Sequence, residues 1–173
     1  WRGEMLERLG RHTDAVEAYT RALNGDQDDI HLQESLARSL RRSGAYRKAA
    51  TIYKKILRTN PGSAGVAMEK GLALLYAGDY TGAIDSFEYL LAGDPHDSCA
   101  LYGKARALEN LGHLRDAADC YGTITEAYPE DLTALYHRGS LLFRIGEYEE
   151  ALECFDTVIC DDPDNIPARY SAG

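Results

Sequence analysis

The sequence predicts an all-α fold, a solenoid of antiparallel helix pairs, and three observations support this class. Glycine, alanine, aromatic and proline residues recur at a fixed spacing of 34 residues along the 173-residue chain. The segments between the glycines and the prolines carry apolar residues at i, i+4 and i+7, which is the spacing of one helical stripe. A short helix pair cannot bury two such stripes alone, so we expect neighbouring pairs to stack on one another.

The clearest repeat spans residues 132–165 and predicts two helices, at about 132–145 and about 148–160. Gly146 lies between them, where a residue without Cβ can adopt the left-handed conformation that often ends a helix. Pro163 follows the second helix and should stop it, because proline has no N–H to continue the hydrogen-bond ladder.

The same positions recur in all five repeats. The interhelix glycines are Gly10, Gly44, Gly78, Gly112 and Gly146. Five residues later come Ala15, Ala49, Ala83, Ala117 and Ala151. The aromatic column is Tyr19, Tyr53, Phe87, Tyr121 and Phe155, and the next apolar column is Ala22, Ile56, Leu90, Ile124 and Val158. A column of small residues in the first helices comprises Gly3, Ala37, Gly71, Ala105 and Gly139. The closing prolines are Pro61, Pro95, Pro129 and Pro163, with Gln27 in the first repeat.

This pattern resembles the tetratricopeptide repeat, and the resemblance covers the whole chain. It implies a right-handed superhelix in which the first helix of each pair lines a concave groove, and it implies a binding module. The column that often holds leucine in that family departs from the pattern, with Arg2, Lys70, Lys104 and Arg138 beside a single conforming Leu36. The array would be one domain, 1–173, divided into a partial repeat 1–29, full repeats 30–63, 64–97, 98–131 and 132–165, and a partial repeat 166–173.

Both ends of this array are expected to be incomplete. Trp1 falls partway through a first helix, and residues 166–173 open a further first helix without a second one. Solenoids normally end in a repeat with a polar outer face. We therefore expect end-to-end self-association of the array at high concentration.

Composition argues against several other classes of function. The net charge of −9 disfavours nonspecific nucleic-acid binding, which needs a basic face. No run approaches the roughly 18 apolar residues of a membrane span, so no membrane partner is expected. The cysteines, Cys99, Cys120, Cys154 and Cys160, form no C-x-x-C pair and predict reduced thiols in the cytoplasm. We expect no metal and no cofactor.

Catalytic motifs are absent from the sequence, so we do not expect an enzyme. There is no phosphate-binding glycine loop, no H-E-x-x-H and no G-x-S-x-G. The histidines are spread over different repeat positions, which is typical of solvated residues rather than of a catalytic or metal-binding cluster.

The candidate binding residues are those on the groove-facing positions of the first helices. Tyr102, Tyr136 and Tyr170 form a ladder at the fifth position of successive repeats, although tyrosine there can also simply pack on the adjacent helix. Tyrosine and arginine often dominate binding energy at interfaces. The full candidate set is Arg38, Arg41, Arg42, Met68, Leu72, Leu75, Tyr76, Tyr102, Arg106, Tyr136, His137, Phe143, Arg144 and Tyr170.

Charge is segregated between the helices of each pair. The predicted first helices contain 11 basic and 5 acidic residues, a net charge of +6, and the rest of the chain has a net charge of −15. A groove less negative than its surroundings favours a protein or peptide partner with acidic and apolar residues.

These observations favour a protein–protein interaction scaffold that holds a peptide in the groove. The alternative is a substrate-selecting or regulatory arm of a larger enzyme, such as a glycosyltransferase or kinase, because fold alone does not fix function. RNA binding, as in related 35-residue helical repeats, is disfavoured by the acidity and by the period. The lysine and asparagine clamp of chaperone-tail-binding members and the asparagine ladder of protein-glycosylating transferases are both absent from the matching positions.

Overall fold

The structure, a computed structural model, describes residues 2–25 and 27–161. Within these ranges the chain forms ten α-helices and no strands. The chain divides into two compact units, an N-terminal part up to Leu90 and a C-terminal part from Leu91 on. Each part is described separately below. The prediction of one continuous array stays a prediction.

In the N-terminal part, consecutive helices pack against one another from α1 to α5. Short turns join the two helices of each pair, so the pairs are antiparallel. The helices are α1 (Arg2–Arg8), α2 (His12–Leu23), α3 (Ile30–Arg42), α4 (Tyr46–Thr59), α5 (Ala64–Ala77) and α6 (Tyr80–Leu91).

The C-terminal part repeats this arrangement with four helices, each packed on the next. They are α7 (Ser98–Leu111), α8 (Leu114–Ala127), α9 (Leu132–Ile145) and α10 (Tyr148–Asp161). The bounds of α9 match the sequence prediction, and α10 ends one residue later than expected. Pro163 and residues 166–173 lie outside the described residues.

The turns between paired helices depend on glycine, as the sequence indicates. All five interhelix glycines have positive φ, between 71° and 89°. After α9, the N–H of Gly146 donates to the carbonyl of Phe143 at 3.2 Å, and the N–H of Glu147 donates to that of Leu142 at 2.9 Å. These paired bonds satisfy the last carbonyls of the helix and reverse the chain toward α10.

The predicted columns form the core of each part. The alanine column is at most 1% exposed and the aromatic column at most 5% exposed. In the last apolar column, Ile56, Ile124 and Val158 are fully buried, whereas Ala22 is exposed, contrary to expectation. The methyl group of Ala22 lies in the last turn of α2, one residue before that helix ends.

Small residues in the first helices allow the two helices of a pair to approach. A Cβ added at Gly71 would lie 2.7 Å from Cε1 of Phe87, and one added at Gly139 would lie 2.9 Å from Cε1 of Phe155. The column of small residues therefore faces the aromatic column of the same repeat.

Four of the first helices begin at a side-chain cap that the sequence prediction did not include. Asp29, Ser63, Asp97 and Asp131 each accept a hydrogen bond from the backbone N–H three residues later, at 3.0 to 3.4 Å. These bonds satisfy N–H groups that have no partner within the helix.

Candidate functional site

The N-terminal part presents a basic face on α3. Arg38 and Arg42 are exposed and form no ion pair within the described residues. Arg41 is different, because its Nε donates to Oε2 of Glu69 on α5 at 2.7 Å. Two of the three arginines predicted for the groove are thus available to a ligand, and the third links neighbouring first helices.

A small open pocket of about 270 Å³ lies between α3 and α5. Arg38 lines one side of it, and Glu34 and Glu69 line it as well. Its floor includes Tyr53, whose hydroxyl donates to Glu69 at 3.3 Å. Glu69 is also paired with Arg41, so its charge is largely compensated. Arg38 and Glu34 are then the charged side chains of the pocket that form no ion pair within the described residues.

The apolar patch predicted on α5 is smaller than expected. Met68 and Leu72 are half-buried, but Leu75 is only 5% exposed and belongs to the core. Leu75 is therefore a correction to the candidate set, because its apolar side chain packs into the core, whereas Arg41 at the same repeat position extends to Glu69. Tyr76 is 46% exposed and stacks on Tyr46, with ring centroids 5.4 Å apart.

In the C-terminal part, Tyr102 is held by an internal contact. It is half-buried, and its hydroxyl donates to the two carboxylate oxygens of Asp131 at 2.9 and 3.0 Å. Burial, followed by the hydrogen bond to this carboxylate, raises the pKa of the Tyr102 hydroxyl. Tyr102 thus joins α7 to the start of α9, and only one part of its ring is open to a ligand.

The aromatic candidates of α9 fall into two separate groups. Tyr136 is half-buried against Phe155 at 5.9 Å between centroids, and the imidazole of His137 stacks on Tyr121 at 5.2 Å. Phe143 is 53% exposed and meets the ring of Tyr148 edge to face at 5.4 Å.

The basic candidates of the C-terminal part are Arg106 and Arg144, which are both exposed. Arg144 lies 3.9 Å from Glu109 and is half exposed there, so it remains open to a ligand carboxylate. Tyr170, the last member of the predicted ladder, lies outside the described residues.

Sequence reasoning missed a set of tyrosine–glutamate pairs at the edge of these faces. The hydroxyls of Tyr19, Tyr53 and Tyr121 donate to Glu7, Glu69 and Glu109 at 3.2 to 3.3 Å. Burial and these carboxylates raise the pKa of each phenol. A signal was present for Tyr19 and Tyr121, because the repeats with phenylalanine in this column, Phe87 and Phe155, carry Leu75 and Phe143 where Glu7 and Glu109 lie. Tyr53 gave no such signal, since Arg41 holds that position in its repeat and its acceptor Glu69 belongs to the next one.

The cysteines divide into two kinds. Cys120 and Cys154 are buried at the same position of successive repeats, whereas Cys99 and Cys160 are exposed rather than packed. Burial raises the pKa of the Cys154 thiol. Over residues 2–25 and 27–161, no group of three or more His, Cys, Asp or Glu side chains is placed to hold a metal ion. None of the described helices has the length and apolarity required to cross a membrane.

Comparison with known proteins agrees with this architecture. The sequence model of the tetratricopeptide repeat family matches residues 1–30, 35–98 and 102–166. A search of curated proteins gives no match.

Solved structures with the same fold include two of MamA and one of YrrB. MamA from Desulfovibrio magneticus RS-1 is 21% identical, with 95% of this chain and 93% of that chain covered and a TM-score of 0.83. Another MamA structure is 20% identical, with coverage of 94% and 95% and a TM-score of 0.84. YrrB, a TPR protein with an unusual peptide-binding site, is 21% identical, with coverage of 98% and 87% and a TM-score of 0.79. Likeness at these identities establishes the fold.

Proposed function

Since the chain belongs to the tetratricopeptide repeat family, we propose that it is a protein-interaction scaffold whose first helices bind a peptide segment of a partner. The observation that carries this proposal is the α3–α5 face, where Arg38 lines an open pocket, Arg42 is also exposed on α3, and Met68 and Leu72 are half-buried on α5. YrrB, which shares the fold, has a peptide-binding site.

The chemistry of the faces favours a partner with alternating acidic and apolar residues. On α3 and α5, a carboxylate of the peptide would meet Arg38 or Arg42, and an apolar side chain would cover Leu72. On α9, the exposed ring of Phe143 and the adjacent Arg144 offer the same combination. Cations at such rims chiefly speed association and select partners, while the apolar contacts slow dissociation.

The proposal is tested by selecting short peptides from a random library and measuring their affinities by isothermal titration calorimetry. We expect the selected peptides to be enriched in acidic and apolar residues. The double variant Arg38→Ala/Arg42→Ala and the single variant Tyr136→Ala should each weaken binding by about 1 kcal/mol or more. The loss in the arginine variant should shrink at high salt, where exposed charges are screened.

The matched control is Lys54→Ala/Arg58→Ala, which removes two exposed cations from α4 in the same repeat. This variant should bind the selected peptides as tightly as the unmodified chain. Peptides without acidic residues, or an equal loss of affinity in the control, would contradict the proposal. The same faces would serve if the chain is the substrate-selecting arm of a larger enzyme, so the binding test applies to both functions.

A further inference from the structure

The outer face of the second helices changes sign between repeats. Residues 30–63 contain eight basic residues and one acidic residue, a net charge of +7 in a chain whose total is −9. Helix α4 alone carries five basic residues and no acidic one, whereas α10 carries five acidic residues and no basic one. The proposed peptide-binding function uses neither helix.

The basic stripe of α4 consists of Arg47, Lys54 and Arg58, at i, i+7 and i+11. All three side chains are exposed, and none forms an ion pair within the described residues. Between α4 and its neighbours lies an open cavity of about 390 Å³, which Arg47, Lys54 and Lys70 line. Asp79 and Asp85 also line it, so the cavity is basic on its α4 side and acidic on the side that faces α6.

The acidic stripe of α10 consists of Glu149, Glu153 and Asp156, at i, i+4 and i+7. These side chains are exposed and form no ion pair in the described part of the chain. Leu152 is 44% exposed on the same helix and adds apolar surface. The first and last members of this stripe occupy the repeat positions that Arg47 and Lys54 hold on α4, with opposite charge.

The spacings of the two stripes are compatible. At a rise of 1.5 Å per residue, Arg47 and Lys54 are separated by about 10.5 Å along the helix axis, as are Glu149 and Asp156. The separation of about 6 Å between Lys54 and Arg58 likewise equals that between Glu149 and Glu153. Two equal separations can be matched whether the helices run parallel or antiparallel. Two charge pairs can therefore form in either direction.

We propose that two copies of this chain associate by placing α10 of one copy against α4 of the other. Two pairs acting together suit this contact better than one, since a single exposed ion pair contributes little. Opposite potentials steer the copies into register and disfavour the α4–α4 and α10–α10 pairings. The contact joins different surfaces of the two copies, so it is heterologous.

Sedimentation velocity on the whole chain tests the proposal. Raising the ionic strength from about 0.01 M to about 1 M shortens the Debye length from about 30 Å to about 3 Å. We expect concentration-dependent association at the lower value and a marked weakening at the higher value, where the contact between α4 and α10 is lost. Lys54→Glu/Arg58→Glu and Glu149→Lys/Glu153→Lys should each weaken the self-association about tenfold or more.

Mixing the two variants separates this contact from a general loss of folding or a change in net charge. In a 1:1 mixture, the intact α10 of the first variant meets the intact α4 of the second, so association should return. The control Arg2→Glu/Arg8→Glu reverses two exposed cations on α1 and should associate like the unmodified chain. Circular dichroism checks that each variant is folded.

Three results would overturn the proposal. The first is that the chain stays monomeric at low ionic strength. The basic face of α4 would then bind an acidic helix of another protein instead of α10 of a second copy. Another is a mixture of the two folded variants that remains monomeric. The third is association that persists unchanged at high ionic strength and in both charge-reversed variants.

Discussion

Gly139 lies where the neighbouring helix α10 leaves no room for a side chain. A Cβ there would lie 2.9 Å from Phe155 and 3.0 Å from the Cβ of Cys154, and both neighbours are buried. We expect Gly139→Leu to lower the free energy of unfolding by about 1–3 kcal/mol, because overpacking forces side chains off their rotamers. Urea denaturation measures the loss.

Gly65 is the matched control for that substitution. An added Cβ at Gly65 would meet no atom within 4 Å. Gly65→Ala should therefore leave the protein as stable or stabilise it by up to about 1 kcal/mol, because alanine loses less backbone entropy in a helix. Equal effects of the two substitutions would contradict the close approach at Gly139.

Tyr121 links stability to pH. Burial, together with the Glu109 carboxylate, raises the pKa of its phenol above the usual value of about 10. The folded state then holds the proton more tightly than the unfolded state. The contribution of this phenol to the free energy of unfolding is fully present below about pH 10 and is lost as the pH rises through the folded-state pKa.

We therefore expect the free energy of unfolding to fall more steeply above about pH 10 in the unmodified chain than in Tyr121→Phe. Urea denaturation at a series of pH values measures the slope. Tyr128→Phe, which alters an exposed tyrosine, should keep the original slope. Parallel curves for the unmodified chain and Tyr121→Phe would show that this phenol does not titrate differently on folding.

The burial of single residues was predicted correctly for the alanine and aromatic columns and wrongly for Ala22 and Leu75. The alanine and aromatic columns are buried because each faces its partner helix in every repeat. Leu75 and Arg41 share one position, yet the first is in the core and the second reaches Glu69. Length and polarity of the individual side chain decide this, and periodicity contains no information about either.

At the scale of the element, Asp131 has two functions at the start of α9. Its carboxylate accepts the N–H of Ala134 at 3.0 Å and also the hydroxyl of Tyr102. Asp97 caps α7 in the same way, through Ala100 at 3.1 Å, but it accepts no tyrosine hydroxyl within the described part of the chain. The two aspartates therefore allow the cap and the tyrosine contact to be separated.

We expect Asp97→Ala to cost about 1 kcal/mol, as the loss of a cap usually does. Asp131→Ala should cost about 1 kcal/mol more, because the half-buried Tyr102 hydroxyl also loses its acceptor. The additional loss should disappear in a Tyr102→Phe background. Thermal or urea unfolding of the four variants measures these differences, and equal costs for the two aspartates would contradict the tyrosine contact.

The helices themselves were largely predictable, because glycine and proline mark their ends. The side-chain caps were not predicted, although an aspartate or serine precedes four of the first helices. The tyrosine–glutamate pairs were also missed, because a hydrogen bond between helices depends on the direction of two side chains. A column-by-column comparison of Tyr19, Phe87 and Tyr121 with their acidic or apolar neighbours would have indicated the pairs of Tyr19 and Tyr121, but not that of Tyr53.

At the scale of the whole molecule, two kinds of self-association respond in opposite ways to salt. The α4–α10 contact depends on charge and should vanish at high ionic strength. The end-to-end association expected from the sequence would instead bury apolar surface, and excluded salts such as sulfate strengthen apolar burial. On α1, Met5 and the following Leu9 are 63% and 70% exposed, so α1 offers such a surface.

We expect any association that remains in about 1 M salt to depend on the α1 surface. Leu9→Glu would place a charge in that apolar contact and should shift the chain to monomer in sedimentation velocity under these conditions. Leu111 is the matched control, because it occupies the same position of its repeat and is 40% exposed. Leu111→Glu should leave the high-salt association unchanged. If the unmodified chain is already monomeric in high salt at millimolar concentration, Met5 and Leu9 do not drive association and the end-to-end prediction is wrong.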